Sequence, residues 1–169
     1  MQATADSKLE MLGPQDGPYV QVGPMGARFM VGPERDAGFS LVEHTIPPRA
    51  LGAPPHTHTN EDEYTYVLEG EVGVQIGDDV AVAKPGDLVL KPRGVNHAFW
   101  NAGDAPARLL EIIAPGSFAS YFAEIEPLMQ GATGPDFPAI AALQARYGLT
   151  MDPAEMEPLI EREGLAPLG

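Results

Sequence analysis

Residues 54–63 read Pro54-Pro55-His56-Thr57-His58-Thr59-Asn60-Glu61-Asp62-Glu63, and residues 86–101 read Gly86-Asp87-Leu88-Val89-Leu90-Lys91-Pro92-Arg93-Gly94-Val95-Asn96-His97-Ala98-Phe99-Trp100-Asn101. In an extended strand, residues i and i+2 face the same way with Cα atoms about 6.6–6.8 Å apart. His56 and His58 can therefore converge on one ion at metal–nitrogen distances of ~2.0–2.2 Å. A carboxylate from the next strand would complete a two-histidine, one-carboxylate face with coordination positions left open. Glu63 is the natural candidate: it opens the apolar run 64–68, and its distance from His58 is enough for a bend. Glu61 and Asp62 are expected on that bend, in water. An isolated His-x-His is more often a pair of strand histidines in a polar setting than a metal site, so the surroundings must decide.

Those surroundings are short alternating segments. Candidate strands lie at 19–22, 27–31, 39–46, 64–68, 71–76, 80–83, 87–90, 97–101 and 107–113, the spacing of a sandwich or barrel. Lys84-Pro85-Gly86-Asp87 suits a type II turn with Gly86 at i+2, and Lys91-Pro92-Arg93-Gly94 suits type I. After Pro115 the texture changes. Phe118, Tyr121, Phe122, Ile125 and Met129 recur at helical spacing, with Pro127 expected to kink or end that helix. Asp136-Phe137-Pro138 and Asp152-Pro153-Ala154-Glu155 look like helix starts, and Gly148 and Gly164 like ends. The expected organisation is N-terminal strands over 1–38, a barrel core over 39–115 and a helical tail over 116–169 that serves as a lid or a dimer contact.

Composition narrows the functions. Cysteine is absent, which excludes disulfide scaffolds, thiolate zinc sites and cysteine nucleophiles. Ten Lys plus Arg stand against 24 Asp plus Glu, a net charge of −14. No basic stripe exists to displace counterions from a phosphate backbone, so neither nucleic acid nor an anionic membrane is an expected partner. No apolar run approaches the ~20 residues of a membrane span. Residues 1–13 include Asp6 and Glu10 and lack the apolar core of a signal peptide. A soluble, cytoplasmic protein is the expectation.

The two quoted stretches resemble the motifs of the cupin superfamily, written G-x5-H-x-H-x3,4-E-x6-G and G-x5-P-x-G-x2-H-x3-N. Gly86, Pro92, Gly94, His97 and Asn101 fit the second completely, and His56, His58, Glu63 and Gly70 fit the first. The opening glycine of the first motif is missing: position 50 is Ala50, and the nearest glycine is Gly52. The resemblance implies an all-β double-stranded β-helix, a jelly-roll barrel with a metal inside and a short helical extension behind. It also implies a ligand set of His56, His58, Glu63 and His97 around one divalent transition ion. Iron or manganese is favoured in a cell, and nickel, cobalt, copper or zinc is compatible with the donors. Four ligands on an octahedral ion leave two positions open. Phe99, which shares a strand face with His97, and Thr65 and Val67, which alternate with Glu63, are expected to line the pocket. Phe29 or Met30 is expected to join them from the first sheet, although ordinary core is the commoner role for each. Trp100 has the opposite parity and is expected outside. His44 matches no ligand position and is read as a surface or supporting residue.

Whole-chain likeness, including Ala145-Arg146-Tyr147-Gly148-Leu149 in the tail, is to small monocupins of the quercetinase-like type. The first reading is therefore a metal-dependent dioxygenase acting on a small bidentate substrate, with Glu63 also serving as a base. A Lewis-acid lyase, isomerase or polyketide cyclase is the second, and a non-catalytic module binding a metal or small molecule is the third. Because cupins commonly pair, a homodimer is expected.

Overall fold

Strand after strand alternates an inward apolar residue with an outward one, and two antiparallel sheets follow from that pattern. The computed structural model describes residues 9–35, 37–131 and 134–167. The first eight residues, on which part of the signal-peptide reading rests, lie outside the described range. The strands are β1 (Tyr19–Val22), β2 (Met25–Val31), β3 (Ser40–Ile46), β4 (Leu51–His58), β5 (Asp62–Glu69) and β6 (Val72–Ile76). They continue with β7 (Asp79–Ala83), β8 (Leu88–Lys91), β9 (His97–Asn101), β10 (Ala107–Ala114) and β11 (Leu149–Met151). One sheet runs β1-β2-β3-β10-β5-β8 and the other β11-β4-β9-β6-β7. This is a jelly-roll barrel, with helices α1 (Ser120–Met129), α2 (Phe137–Arg146) and α3 (Met156–Glu163) behind it. No helix among the described residues is long and apolar enough to cross a membrane.

The main core lies between the sheets, where Val42, Ile46, Val67, Leu109 and Ile113 are fully buried. A second cluster joins Leu51, Ala98 and Trp100 to Leu159 and Leu165. It explains why β9 is buried along its whole length. His97 and Phe99 point into the barrel, while Ala98 and Trp100 face outward and are covered by α3. Trp100 is thus outside the barrel, as its parity predicts.

The helix bearing Pro127 ends two residues beyond it, at Met129, as expected of a proline in a helical stretch. Two local expectations need correction, the turn after β8 and the make-up of the tail. The turn after β8 is bonded one residue later than expected, Val95 N–H to Pro92 C=O. Gly94 then takes the left-handed position at φ 76°, and its N–H reaches the His58 carbonyl at 2.8 Å. The tail is not wholly helical, since β11 pairs with β4. The N-terminal strands β1 and β2 extend the first sheet beyond β3.

Candidate metal centre

Three strands bring four side chains together. His56 and His58 share the inner face of β4, His97 opens β9 directly opposite His56, and Glu63 is the second residue of β5 in the facing sheet. One ligand atom from each lies within 4.8 Å of all the others, and all four side chains are buried. β4 is itself fixed on both edges, by β9 and by β11, where Leu149 pairs with His58 and Met151 with His56.

The imidazoles are oriented for coordination. Each Nδ1 has a partner: the Pro54 carbonyl for His56 at 2.7 Å, the Val95 carbonyl for His97 at 3.0 Å, and Glu61 Oε2 for His58 at 3.3 Å. Such partners place the proton on Nδ1 and leave the Nε2 lone pair to point inward. His97 Nε2 is buried and makes no hydrogen bond, although Glu63 Oε2 lies 3.3 Å away. Glu63 Oε1 is 3.4 Å from His58 Nε2. An orphaned imidazole nitrogen beside a carboxylate and two further imidazoles fits a divalent ion, which would satisfy all of them at once.

Electrostatics point the same way. Burial lowers the pKa of His58 to about 4 and, helped by the neighbouring histidines, that of His56 well below the ordinary value. Both rings are therefore neutral near pH 7, the form that ligates. Burial would raise Glu63, but the Lys91 ammonium and the histidines outweigh it and hold the carboxyl well below the usual range.

Glu61 corrects the expectation that it lies in water. It is buried, and its carboxylate turns inward to the His58 ring, while Asp62 alone stays on the rim and pairs with Arg93. His44 is not on the surface either. It is buried between Phe99 and Phe122 and apart from the ligand cluster. Thr65 points inward and donates to Glu111 Oε2 at 2.8 Å, and Val67 is fully buried on the same wall. Phe99 lies inside beside Lys91. Phe29 is core, with its ring 6.4 Å from that of Phe122, and Met30 is half-buried. Phe118 packs edge-on against His58 at 4.3 Å, so the tail does touch the site. Two clefts, of about 370 and 430 Å³, are lined by other residues and lie away from the ligands.

Sequence reasoning missed Lys91 and Glu111. Lys91 is buried, with Nζ 2.9 Å from both Glu63 Oε2 and Glu111 Oε2. The available signal was parity. Glu111 sits between Leu109 and Ile113 on the inward frame of β10, and Lys91 shares the inward frame of Val89.

Comparison with known proteins agrees with this geometry. A family model described as a cupin domain matches residues 42–113. Nectarin-1 of Nicotiana langsdorffii x Nicotiana sanderae is 36% identical over 78 residues, which cover 43% of this chain and 34% of nectarin-1. Oxidoreductase iacF of Pestalotiopsis fici is 42% identical over 50 residues, 29% of this chain and 24% of that protein. This chain thus spans about a third of the length of one of those relatives and about a quarter of the other. Among solved structures, the polyketide cyclase RemF from Streptomyces resistomycificus superposes with a TM-score of 0.56 at 25% identity, covering 63% of this chain and 80% of RemF.

Proposed function

Because this chain is a small protein of the cupin superfamily with a buried cluster of three imidazoles and a carboxylate, we propose that it is a metal-dependent enzyme acting on a small substrate that chelates through two oxygen atoms. Quercetinase-like dioxygenase chemistry is the activity we favour. One observation carries the metal reading: every Nδ1 of the three histidines is engaged, and the Nε2 atoms face one another around Glu63. When bound, a divalent ion supplies a Lewis acid with two open positions for a chelating substrate or co-substrate. Iron or manganese is our choice of ion, and nickel, cobalt, copper and zinc suit the same donors.

The chain's own residues divide the work. His56, His58 and His97 would hold the ion through their Nε2 atoms. Glu63 is the fourth ligand and the proposed catalytic base; held ionised, it can take a proton from a substrate hydroxyl that the site has made acidic. Phe118 over His58 and Phe99 within the barrel keep water from the ligands. Thr65 and Val67 provide the inner wall, with Phe29 farther along it.

The oxidoreductase name of iacF supports the oxygenase reading. The likeness to RemF supports a second one, in which the same ion polarises an enolisable carbonyl and a ring closes without oxygen. An oxygen electrode separates them. Protein loaded with Fe²⁺ or Mn²⁺ is offered a panel of flavonols and β-diketones, and metal-dependent oxygen uptake is expected. Turnover at full rate in the absence of oxygen overturns the dioxygenase reading, and binding without conversion across the panel marks a non-catalytic module. His97→Ala that keeps full metal content removes the four-ligand site altogether.

We also propose that the protein is a cytoplasmic homodimer. The cysteine-free sequence suits the first part. An apolar outer face on the first sheet supports the second.

A further inference from the structure

Glu63 has a neighbour that the ligand set does not explain. Lys91 ends β8 with its side chain in the barrel, while Leu88 and Leu90 face outward. A buried ammonium is expensive unless paired. This one is paired twice, with Nζ at 2.9 Å from Glu63 Oε2 and at 2.9 Å from Glu111 Oε2. Glu111 Oε2 also accepts the Thr65 hydroxyl, while Glu111 Oε1 has no partner. An apolar side chain would fill the same space, as Val89 and Val67 do nearby, and buried ion pairs are seldom a net source of stability. The arrangement therefore needs a reason beyond packing.

We propose that Lys91 is a positioning residue: it commits one oxygen of Glu63, leaves the other to ligate, and keeps the ion site looser and more open than its four ligands alone would make it. The proposal rests on the metal reading above. Two physical effects act together. A carboxylate with Oε2 engaged by an ammonium ligates through a single oxygen, so the protein fills four positions of an octahedral ion. Released, the same carboxylate can ligate through both oxygens and occupy a fifth position. The ammonium also repels a divalent cation across a low-dielectric interior. Glu111 moderates both effects, because it shares the ammonium and neutralises part of its charge.

Opposite signs follow for two substitutions. Lys91→Met frees Glu63 and removes a positive charge, so the ion binds more tightly. Glu111→Gln leaves Lys91 to Glu63 alone and unmasks its charge, so the ion binds less tightly. A lysine that only braced the barrel would lower affinity in both variants, since each substitution would loosen the Glu63 side chain.

The test is Zn²⁺ affinity at pH 7.5, measured by competition with a chromophoric chelator on wild type, Lys91→Met, Glu111→Gln and Glu63→Gln. Folding of each variant is checked by circular dichroism. Affinity is expected to rise by about tenfold or more in Lys91→Met and to fall severalfold in Glu111→Gln, with Glu63→Gln weakest of all. Acetohydroxamate, a chelating probe that needs two open positions, is expected to bind the Zn²⁺-loaded wild type and to bind Lys91→Met at least about tenfold more weakly. Should Lys91→Met not fold, Lys91→Gln removes the charge but keeps a donor to Glu63, so Zn²⁺ affinity is expected to rise severalfold while acetohydroxamate binding stays near that of wild type. Reduced or unchanged affinity in the Lys91 variant overturns the positioning role. Absence of Zn²⁺ binding by wild type overturns the metal reading instead.

Discussion

His44 is the histidine that the ligand set leaves over, and its burial has a thermodynamic consequence. It lies on the inner face of β3 with Nδ1 3.3 Å from the Gly26 carbonyl, edge-on to Phe122. Burial lowers its pKa to about 4, against a small opposing contribution from that carbonyl. An imidazole that ionises near 6.5 in the unfolded chain and near 4 in the folded one is protonated first in the unfolded state. Its contribution is fully present above pH 6.5 and is lost as pH falls towards 4. A shift of that size corresponds to about 3 kcal/mol across the window. Urea unfolding of the metal-free protein at pH 7, 6, 5 and 4 is expected to show stability falling with pH. In His44→Leu the fall is smaller by about that amount; identical pH profiles for the two proteins would rule the linkage out.

At the level of elements, the C-terminal segment does two separate jobs. Its first turn seats Phe118 against His58, while Leu159 of the last helix and Leu165 just beyond it sit over Leu51, Ala98 and Trp100. Leu159→Ala opens a cavity in the outer cluster and is expected to cost roughly 2–5 kcal/mol in unfolding free energy, with Zn²⁺ stoichiometry unchanged. Phe118→Ala is expected to cost a comparable amount and also to weaken Zn²⁺ binding, because the ring that holds His58 in place is gone. Calorimetry paired with metal titration checks both; equal metal affinity in the two variants would show that Phe118 does not support the site. The contrast also explains what could be read in advance. Motif spacing, through the cupin resemblance, marked His56, His58, Glu63 and His97, whose ligand atoms lie within 4.8 Å of one another; parity alone could not have done so, because β9 is buried on both faces and β4 does not alternate cleanly. β11 was not legible, because Leu149-Thr150-Met151 is short and becomes a strand only by pairing with β4. Glu61 was hidden for a related reason: a glutamate on a bend is ordinarily solvated, and only the nearby His58 Nδ1 draws it inward. Lys91 and Glu111 each broke the apolar parity of a strand, but their pairing is a long-range contact that neither strand announces by itself.

For the whole molecule, the two outer faces of the barrel differ. α3 packs on β4 and covers the second sheet, whereas α1 packs against β1 and α2 against β11. The outer face of the first sheet carries Leu41, Tyr64, Tyr66, Leu88, Leu90, Leu110 and Ile112, with Leu88 and Leu90 54% and 60% exposed. This patch is a surface that could serve the proposed homodimer, beside the tail. A second copy of the chain is the occupant we propose. Two chains that each carry −14 repel almost everywhere, but this face holds no charge at its centre. Its rim carries charges of both signs, Arg108 and Glu69 among them. A two-fold axis through such a face can bury the apolar centre and set unlike rim charges opposite one another. Sedimentation equilibrium at micromolar concentration is expected to give twice the chain mass. The double variant Leu88→Lys/Leu90→Lys places two ammonium groups in each half of the contact, and its dimer dissociation constant is expected to rise by about 100-fold or more. Its circular dichroism and Zn²⁺ stoichiometry should match wild type, because both leucines face away from the barrel interior. A wild-type protein that sediments as a monomer, or a double variant that remains a dimer, would move the interface elsewhere.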